Sequence, residues 1–177
     1  MNNNNNELKN YCTFKIGGKA KFLFICLNKQ NLINVCKFCN QHNIRYKIIG
    51  LGANLLFDDN GFDGAIIVNK SNKLYVKNNF VYAESGIPIA QLINHCAKKN
   101  LGGMENLAGI PATLGGAIFN NLGAFNTQIC DFVEYVEVVQ KNELNKTIKL
   151  SKNECGFGYR HSIFSENNYI ITKVKLS

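Results

Sequence analysis

Residues 108–126 read AGIPATLGGAIFNNLGAFN, and this stretch decides the fold. Glycines at 109, 115, 116 and 123 punctuate an aliphatic run, so backbone can approach a bulky partner closely while the branched side chains remain to be buried. That pattern points to a large bound cofactor. A second glycine turn, GLGANLL at 50–56, follows the strand-like YKII at 46–49 and precedes the acidic turn DDNG at 58–61. Two such loops in one short chain suggest two grips on one elongated ligand.

Glycine has no Cβ and adopts positive φ readily, so peptide N–H groups in such loops can turn toward an anion, phosphate above all. The loop at 50–54 fits neither recognised nucleotide fingerprint. There is no Gly-x-Gly-x-x-Gly opening a helix and no Gly-x-x-x-x-Gly-Lys-Ser/Thr, which removes the main support for a Rossmann or P-loop reading. The plain alternative is that each loop is a tight turn and nothing more.

A chain of 177 residues with 46% hydrophobic content can bury a real core, as one domain or as two small lobes. It has no apolar run of membrane-spanning length, and its start, MNNNNNE, lacks the basic and apolar regions of a signal peptide. The expectation is a cytoplasmic protein whose residues 1–10 form a disordered, Asn-rich tail. The net charge of +8 comes from scattered lysines without a dense basic block, which argues against nucleic acid or a membrane as partner. The same excess would attract polyphosphate ligands.

Seven cysteines are present, and Cys36-Lys37-Phe38-Cys39 is the one Cys-x-x-Cys. It falls where Leu32, Ile33, Val35, Cys36 and Cys39 follow helical spacing, so these thiols read as small buried hydrophobes. His42, His95 and His161 form no ligand spacing with them, and no metal is expected.

The periodicities predict strands at 21–27, 46–49 and 65–68 and an amphipathic helix at 30–41, a β-α-β-β lobe ending near residue 70. A second α+β lobe spans 71–177. Strands at 73–77 and 80–84 read as a hairpin turning at Asn78-Asn79, and Pro88 opens a helix running through Lys99. A short helix is expected at 111–119, then strands at 132–140 and 147–150 separated by a polar turn at 141–146. Ser151-Lys152-Asn153-Glu154 has capping-box spacing, and a final strand covers 169–174.

The blocks CTFKIGG (12–18), GLGANLL (50–56), GMENLAGIP (103–111), GGA (115–117), NNLGAF (120–125) and CGFGYRHS (155–162) occur in an order that resembles the bacterial UDP-N-acetylenolpyruvoylglucosamine reductase family. The resemblance spans nearly the whole chain after the tail. It implies an α+β fold of the FAD-binding, vanillyl-alcohol-oxidase (PCMH) type, with flavin held between two lobes. It also implies a cytoplasmic oxidoreductase of peptidoglycan synthesis that reduces UDP-N-acetylglucosamine enolpyruvate to UDP-N-acetylmuramate, with FAD as cofactor and NADPH as reductant.

Carried onto this chain, the resemblance gives Arg160 a catalytic role, since a permanently charged fork can hold a carboxylate and stabilise developing negative charge. Tyr159 and Asn120 are implied substrate contacts. The cofactor is assigned to Gly50, Leu51, Gly52, Ala53, Asn54 and Leu55, to Gly109, Ile110, Pro111, Thr113, Gly115, Gly116 and Ala117, and to Gly123 and Ala124. Ala53 stands where the family commonly has serine, and Ala112 and Asn126 stand where it has glycine. Leu122 and Phe125 replace a smaller residue and a tyrosine, changes that weaken rather than abolish FAD binding. The family's C-terminal lobe, with its serine proton donor and catalytic glutamate, has no counterpart before Ser177, so a second chain carrying that lobe is an implied partner. A non-catalytic FAD-binding remnant, or one half of a split enzyme, is the alternative.

Overall fold

The computed structural model describes residues 6–166 and 168–177. The chain divides into two compact units, Met1–Lys70 and Ser71–Ser177.

In the first unit, β1 (Ala20–Cys26), α1 (Lys29–Gln41), β2 (Tyr46–Ile49) and β3 (Phe62–Asn69) form a three-stranded parallel sheet in the order β1-β3-β2 with one crossover helix. Asn28 starts α1, its side chain accepting from the Asn31 N–H at 2.8 Å. Leu32, Ile33, Cys36 and Cys39 then share the buried face. β3 lies in the middle and is buried without interruption from Gly64 to Asn69, as an unbroken Ala-Ile-Ile-Val run allows in a parallel sheet.

Residues 1–5 of the expected tail lie outside the described residues. The rest of it has structure: Leu8–Tyr11 forms a single 3₁₀ turn, and Leu8, 0% exposed, packs with Ala20, Ile49, Ile66 and Val68. The Leu8 N–H donates to Gly18 at 2.9 Å and the Ala20 N–H donates to Asn6 at 2.9 Å. One leucine set among asparagines leaves little trace in a composition-based reading, yet it plugs the end of this core.

The second unit contains β4 (Leu74–Lys77), β5 (Phe80–Glu84), α2 (Ile89–Ala97), α3 (Leu114–Phe119), β6 (Gly123–Ala124), β7 (Thr127–Gln128), β8 (Val133–Gln140), β9 (Glu143–Ser151), α4 (Ile163–Glu166) and β10 (Tyr169–Leu176). Its antiparallel sheet has the order β4-β5-β10-β8-β9. Asn78 and Asn79, at φ 50° and 62°, make the two-residue turn that joins β4 to β5. β10 alternates, burying Ile170, Thr172, Val174 and Leu176. The buried face of the sheet shares one core with Leu92 and Cys96 of α2 and Leu114, Ala117 and Ile118 of α3.

Several boundaries differ from expectation: the helix expected over 111–119 begins at Leu114 with Thr113 as its cap, and the strand expected over 65–68 runs from Phe62 to Asn69. Pro88 caps α2 from outside, in extended backbone, and the helix ends at Ala97 rather than Lys99. The turn expected over 141–146 shrinks to Lys141-Asn142, because β9 begins at Glu143 and buries only Leu144 and Leu150. An edge strand with so polar an outer face reads as a loop. All seven cysteines are free thiols, six of them buried. Burial pushes the Cys26 thiol up to about 11 and the Cys155 thiol up to about 12. No described helix is long and apolar enough to cross a membrane.

Candidate functional site

The 50–55 loop leaves β2 after buried Ile49. Gly52 adopts φ +68°, and a Cβ there would lie 2.0 Å from the Tyr11 carbonyl oxygen and 2.9 Å from the Cys12 Cα. Glycine is thus required by the loop's own packing. Two loop carbonyls are occupied, the Thr13 N–H donating to Gly52 at 3.2 Å and the Thr13 hydroxyl to Ala53 at 3.3 Å. Among the described residues, no peptide N–H of residues 51–55 donates to another backbone group. Occupied carbonyls beside peptide N–H groups without a backbone acceptor are an arrangement that suits an anion.

The 108–117 run is built differently. The Leu114 N–H donates to Ile87 at 2.8 Å, the Gly115 N–H to Ser85 at 2.7 Å, and the Gly116 N–H to the Thr113 hydroxyl at 3.3 Å. These bonds fix the start of α3 and use the donors that an anion would want. What this run offers is close approach. A Cβ on Gly115 would press on Ser85 at 3.0 Å, whereas one on Gly109 meets nothing within 4 Å and one on Gly116 meets only the Thr113 hydroxyl at 3.5 Å. Nothing inside the unit demands glycine at 109 or 116, so both fit a surface that admits a flat ligand. Ile110 is half-buried and Ala117 fully buried against the core, while Pro111 is exposed.

After α3, β6 and β7 form a small hairpin whose tip, Phe125-Asn126, has φ 48° and 60°. Asparagine tolerates this left-handed backbone where glycine would be the default, so Asn126 keeps the turn. Phe125 is 83% exposed.

Facing this segment is a second tight turn. The N–H groups of Gly158 and His161 donate to each other's carbonyls at 3.0 and 3.3 Å, with Tyr159 and Arg160 at the tip. Tyr159 is 91% exposed, and Arg160 holds φ +52° at a turn position normally given to Gly or Asn. Its Nη2 donates to the Gly123 carbonyl at 3.0 Å. No carboxylate among the described residues pairs with Arg160. A fork with spare donors and no internal counter-ion suits an incoming carboxylate.

Arg160 and Gly123 are therefore brought together, Ala124 following half-buried in β6. Asn120 sits half-buried at the end of α3, its N–H donating to Gly116 at 3.3 Å. Its neighbour Asn121, which sequence reasoning passed over, is 2% exposed and bonded on three sides. Nothing in the composition of an Asn-Asn pair says which member turns inward.

Residues 20–145 match the FAD binding domain family. The chain is 39% identical to UDP-N-acetylenolpyruvoylglucosamine reductase of Clostridium novyi (strain NT), over 95% of this chain and 54% of that relative. It is also 39% identical to the enzyme of the same name from Caldicellulosiruptor saccharolyticus, over 94% of this chain and 53% of the relative. The crystal structure of UDP-N-acetylenolpyruvylglucosamine reductase from Thermus caldophilus superposes with a TM-score of 0.80 at 30% identity, covering 96% of this chain and 59% of that one. Alkyldihydroxyacetonephosphate synthase, at 16% identity and a TM-score of 0.65, shares the fold. The chain spans about half the length of the curated relatives it matches.

Proposed function

Because the chain belongs to the FAD binding domain family, we propose that it forms the FAD-binding portion of a UDP-N-acetylenolpyruvoylglucosamine reductase, acting in the cytoplasm in peptidoglycan synthesis. The observation that carries this reading is the pair of glycines, Gly109 and Gly116, whose side-chain positions are open although the fold does not need them open. The peptide N–H groups of Leu51, Gly52, Ala53, Asn54 and Leu55, beyond Gly50, would hold the anionic part of FAD. Residues 109–117, with Gly123 and Ala124, would lie along its body, Thr113 fixing the local backbone. Bound FAD supplies the hydride-carrying chemistry between NADPH and the enolpyruvyl double bond.

The chain's own part is binding and charge stabilisation. Arg160 would take the enolpyruvyl carboxylate and offset negative charge as the double bond is reduced, with Tyr159 and Asn120 lining the substrate. The remaining half of the relatives' length would come from a second chain or segment.

An FAD titration of the purified chain, read by flavin fluorescence, tests the first step. One-to-one binding is expected, and a folded chain that leaves the flavin signal unchanged would overturn the reading. NADPH-dependent product formation on adding the C-terminal portion of a relative separates an enzyme half from a non-catalytic flavin-binding chain, which would bind FAD and form no product.

A further inference from the structure

Segments 119–123 and 158–162 are joined by hydrogen bonds at alternate residues. The Ser162 hydroxyl donates to the Phe119 carbonyl at 2.7 Å, Asn121 Nδ2 donates to the Gly158 carbonyl at 2.9 Å, and Arg160 Nη2 donates to the Gly123 carbonyl at 3.0 Å. Asn121 sits in the middle and does more than its neighbours. Its Nδ2 also donates to Gln128 Oε1 at 2.7 Å, and its Oδ1 accepts from the Cys130 N–H at 3.3 Å. A backbone acceptor on one side and a backbone donor on the other fix the amide's orientation. Because Asn121 is buried, removing its amide would leave the half-buried Gly158 carbonyl and Cys130 N–H to find new partners.

We propose that Asn121 is the positioning residue for the Tyr159–Arg160 turn: its amide fixes the Gly158 end and so sets where the Arg160 guanidinium can reach. The inference rests on the role given to Arg160 above. Arg160 alone cannot set its own position. Its side chain is long and exposed, one hydrogen bond restrains it, and its left-handed backbone is of a kind that persists only where the surrounding structure holds it. The short, buried Asn121, bonded to the turn, to the end of β7 and to the segment after it, supplies the rigidity that the tip lacks.

Two variants test this without relying on turnover. Asn121 has φ +43°, so Asn121→Gly removes the amide at a position where the backbone favours glycine. Asn121→Asp keeps the volume and the acceptor while losing both donors. The chain has two arginines, Arg45 and Arg160, so an ¹⁵N spectrum resolves the Arg160 Nε–H directly. In the unaltered chain that signal is expected to be dispersed and to move on addition of 2-methoxyacrylate, an enol-ether carboxylate probe. In both variants it should collapse toward the free-arginine position, with probe affinity at least fivefold weaker and FAD affinity changed less than twofold. An unchanged Arg160 signal and unchanged probe affinity in either folded variant would overturn the proposal. Failure of the underlying functional reading looks different: the unaltered chain would bind no FAD, while the Arg160 signal would still respond to loss of Asn121.

Discussion

Arg160 and Gly123, 37 residues apart in sequence, are joined by one hydrogen bond of 3.0 Å from Nη2 to the carbonyl. The bond ties the only unpaired fork of the second unit's described residues to the glycine run that opens toward the proposed cofactor. It does so from a strained backbone, since Arg160 holds a left-handed conformation at φ +52°.

That strain predicts an unusual ranking of variants. Arg160→Gly relieves a backbone cost of about 1 kcal/mol and loses an exposed hydrogen bond worth about as much, so its urea unfolding free energy should stay near that of the unaltered chain. Arg160→Ala loses the bond and keeps the strain, and should fall about 1 kcal/mol below Arg160→Gly. Both should bind FAD within twofold of normal and form far less product in a reconstituted system. An Arg160→Ala chain more stable than Arg160→Gly would remove the strain argument, and normal turnover in either would remove Arg160 from the mechanism.

Gly52 and Gly116 should respond in opposite ways to alanine. Gly52→Ala places a Cβ 2.0 Å from a backbone oxygen at positive φ, and should destabilise the first unit by several kcal/mol, on the order of 3. Gly116 lies on an exposed part of α3 with open space above it, so Gly116→Ala should raise the melting temperature slightly through helix propensity, roughly 0.5–1 kcal/mol. The same change, and Gly116→Val more strongly, should weaken FAD binding. Full flavin affinity in Gly116→Val would exclude the 109–117 run as a cofactor surface.

Leu8→Ala tests the packed N-terminal segment. Truncating a fully buried leucine typically costs about 2–5 kcal/mol, and the loss should appear in the first unit's unfolding. A change below about 0.5 kcal/mol would mean that residues 6–11 contribute no packing.

Alkaline pH should destabilise the fold through its thiols. Cys26 is raised from 9.0 to about 11 and Cys155 from 9.0 to about 12, both chiefly by burial. A raised folded-state pKa means the unfolded chain loses its protons first, so the stabilisation is complete below pH 9 and is lost as pH rises toward 11 and 12. The loss approaches roughly 2 kcal/mol per thiol by pH 11. Denaturant titrations from pH 8 to 11 should show this slope, shallower in Cys155→Ala than in the unaltered chain; equal slopes would assign it to other groups.

The elements with strong local signals were legible in the sequence. α1 follows from its helical spacing and the β4–β5 hairpin from Asn78-Asn79, whereas α3, expected from Pro111, begins only at Leu114. β9 was shortened because its exposed face is polar, and the packing of Leu8 was hidden within a low-complexity run. Of the candidate site, glycines and Arg160 were readable because their residue types announce backbone freedom and charge. Asn121 was not, since an amide's importance lies in what surrounds it. The satisfaction of the Gly115 N–H was equally hidden, because its partner, the Ser85 carbonyl, is chosen by tertiary approach.

The alternating bonds between 119–123 and 158–162 constrain how this stretch can drift in evolution. Phe119 and Gly123 contribute only carbonyl oxygens, which almost any substitution preserves, and Asn121 alone contributes its side chain from that segment. Composition at 119 and 123 is therefore loosely held as far as these bonds are concerned, whereas spacing is not. A one-residue insertion or deletion between 119 and 123 would present the wrong groups to Gly158, Arg160 and Ser162 at once. Length, more than residue identity, is what this junction can least afford to change.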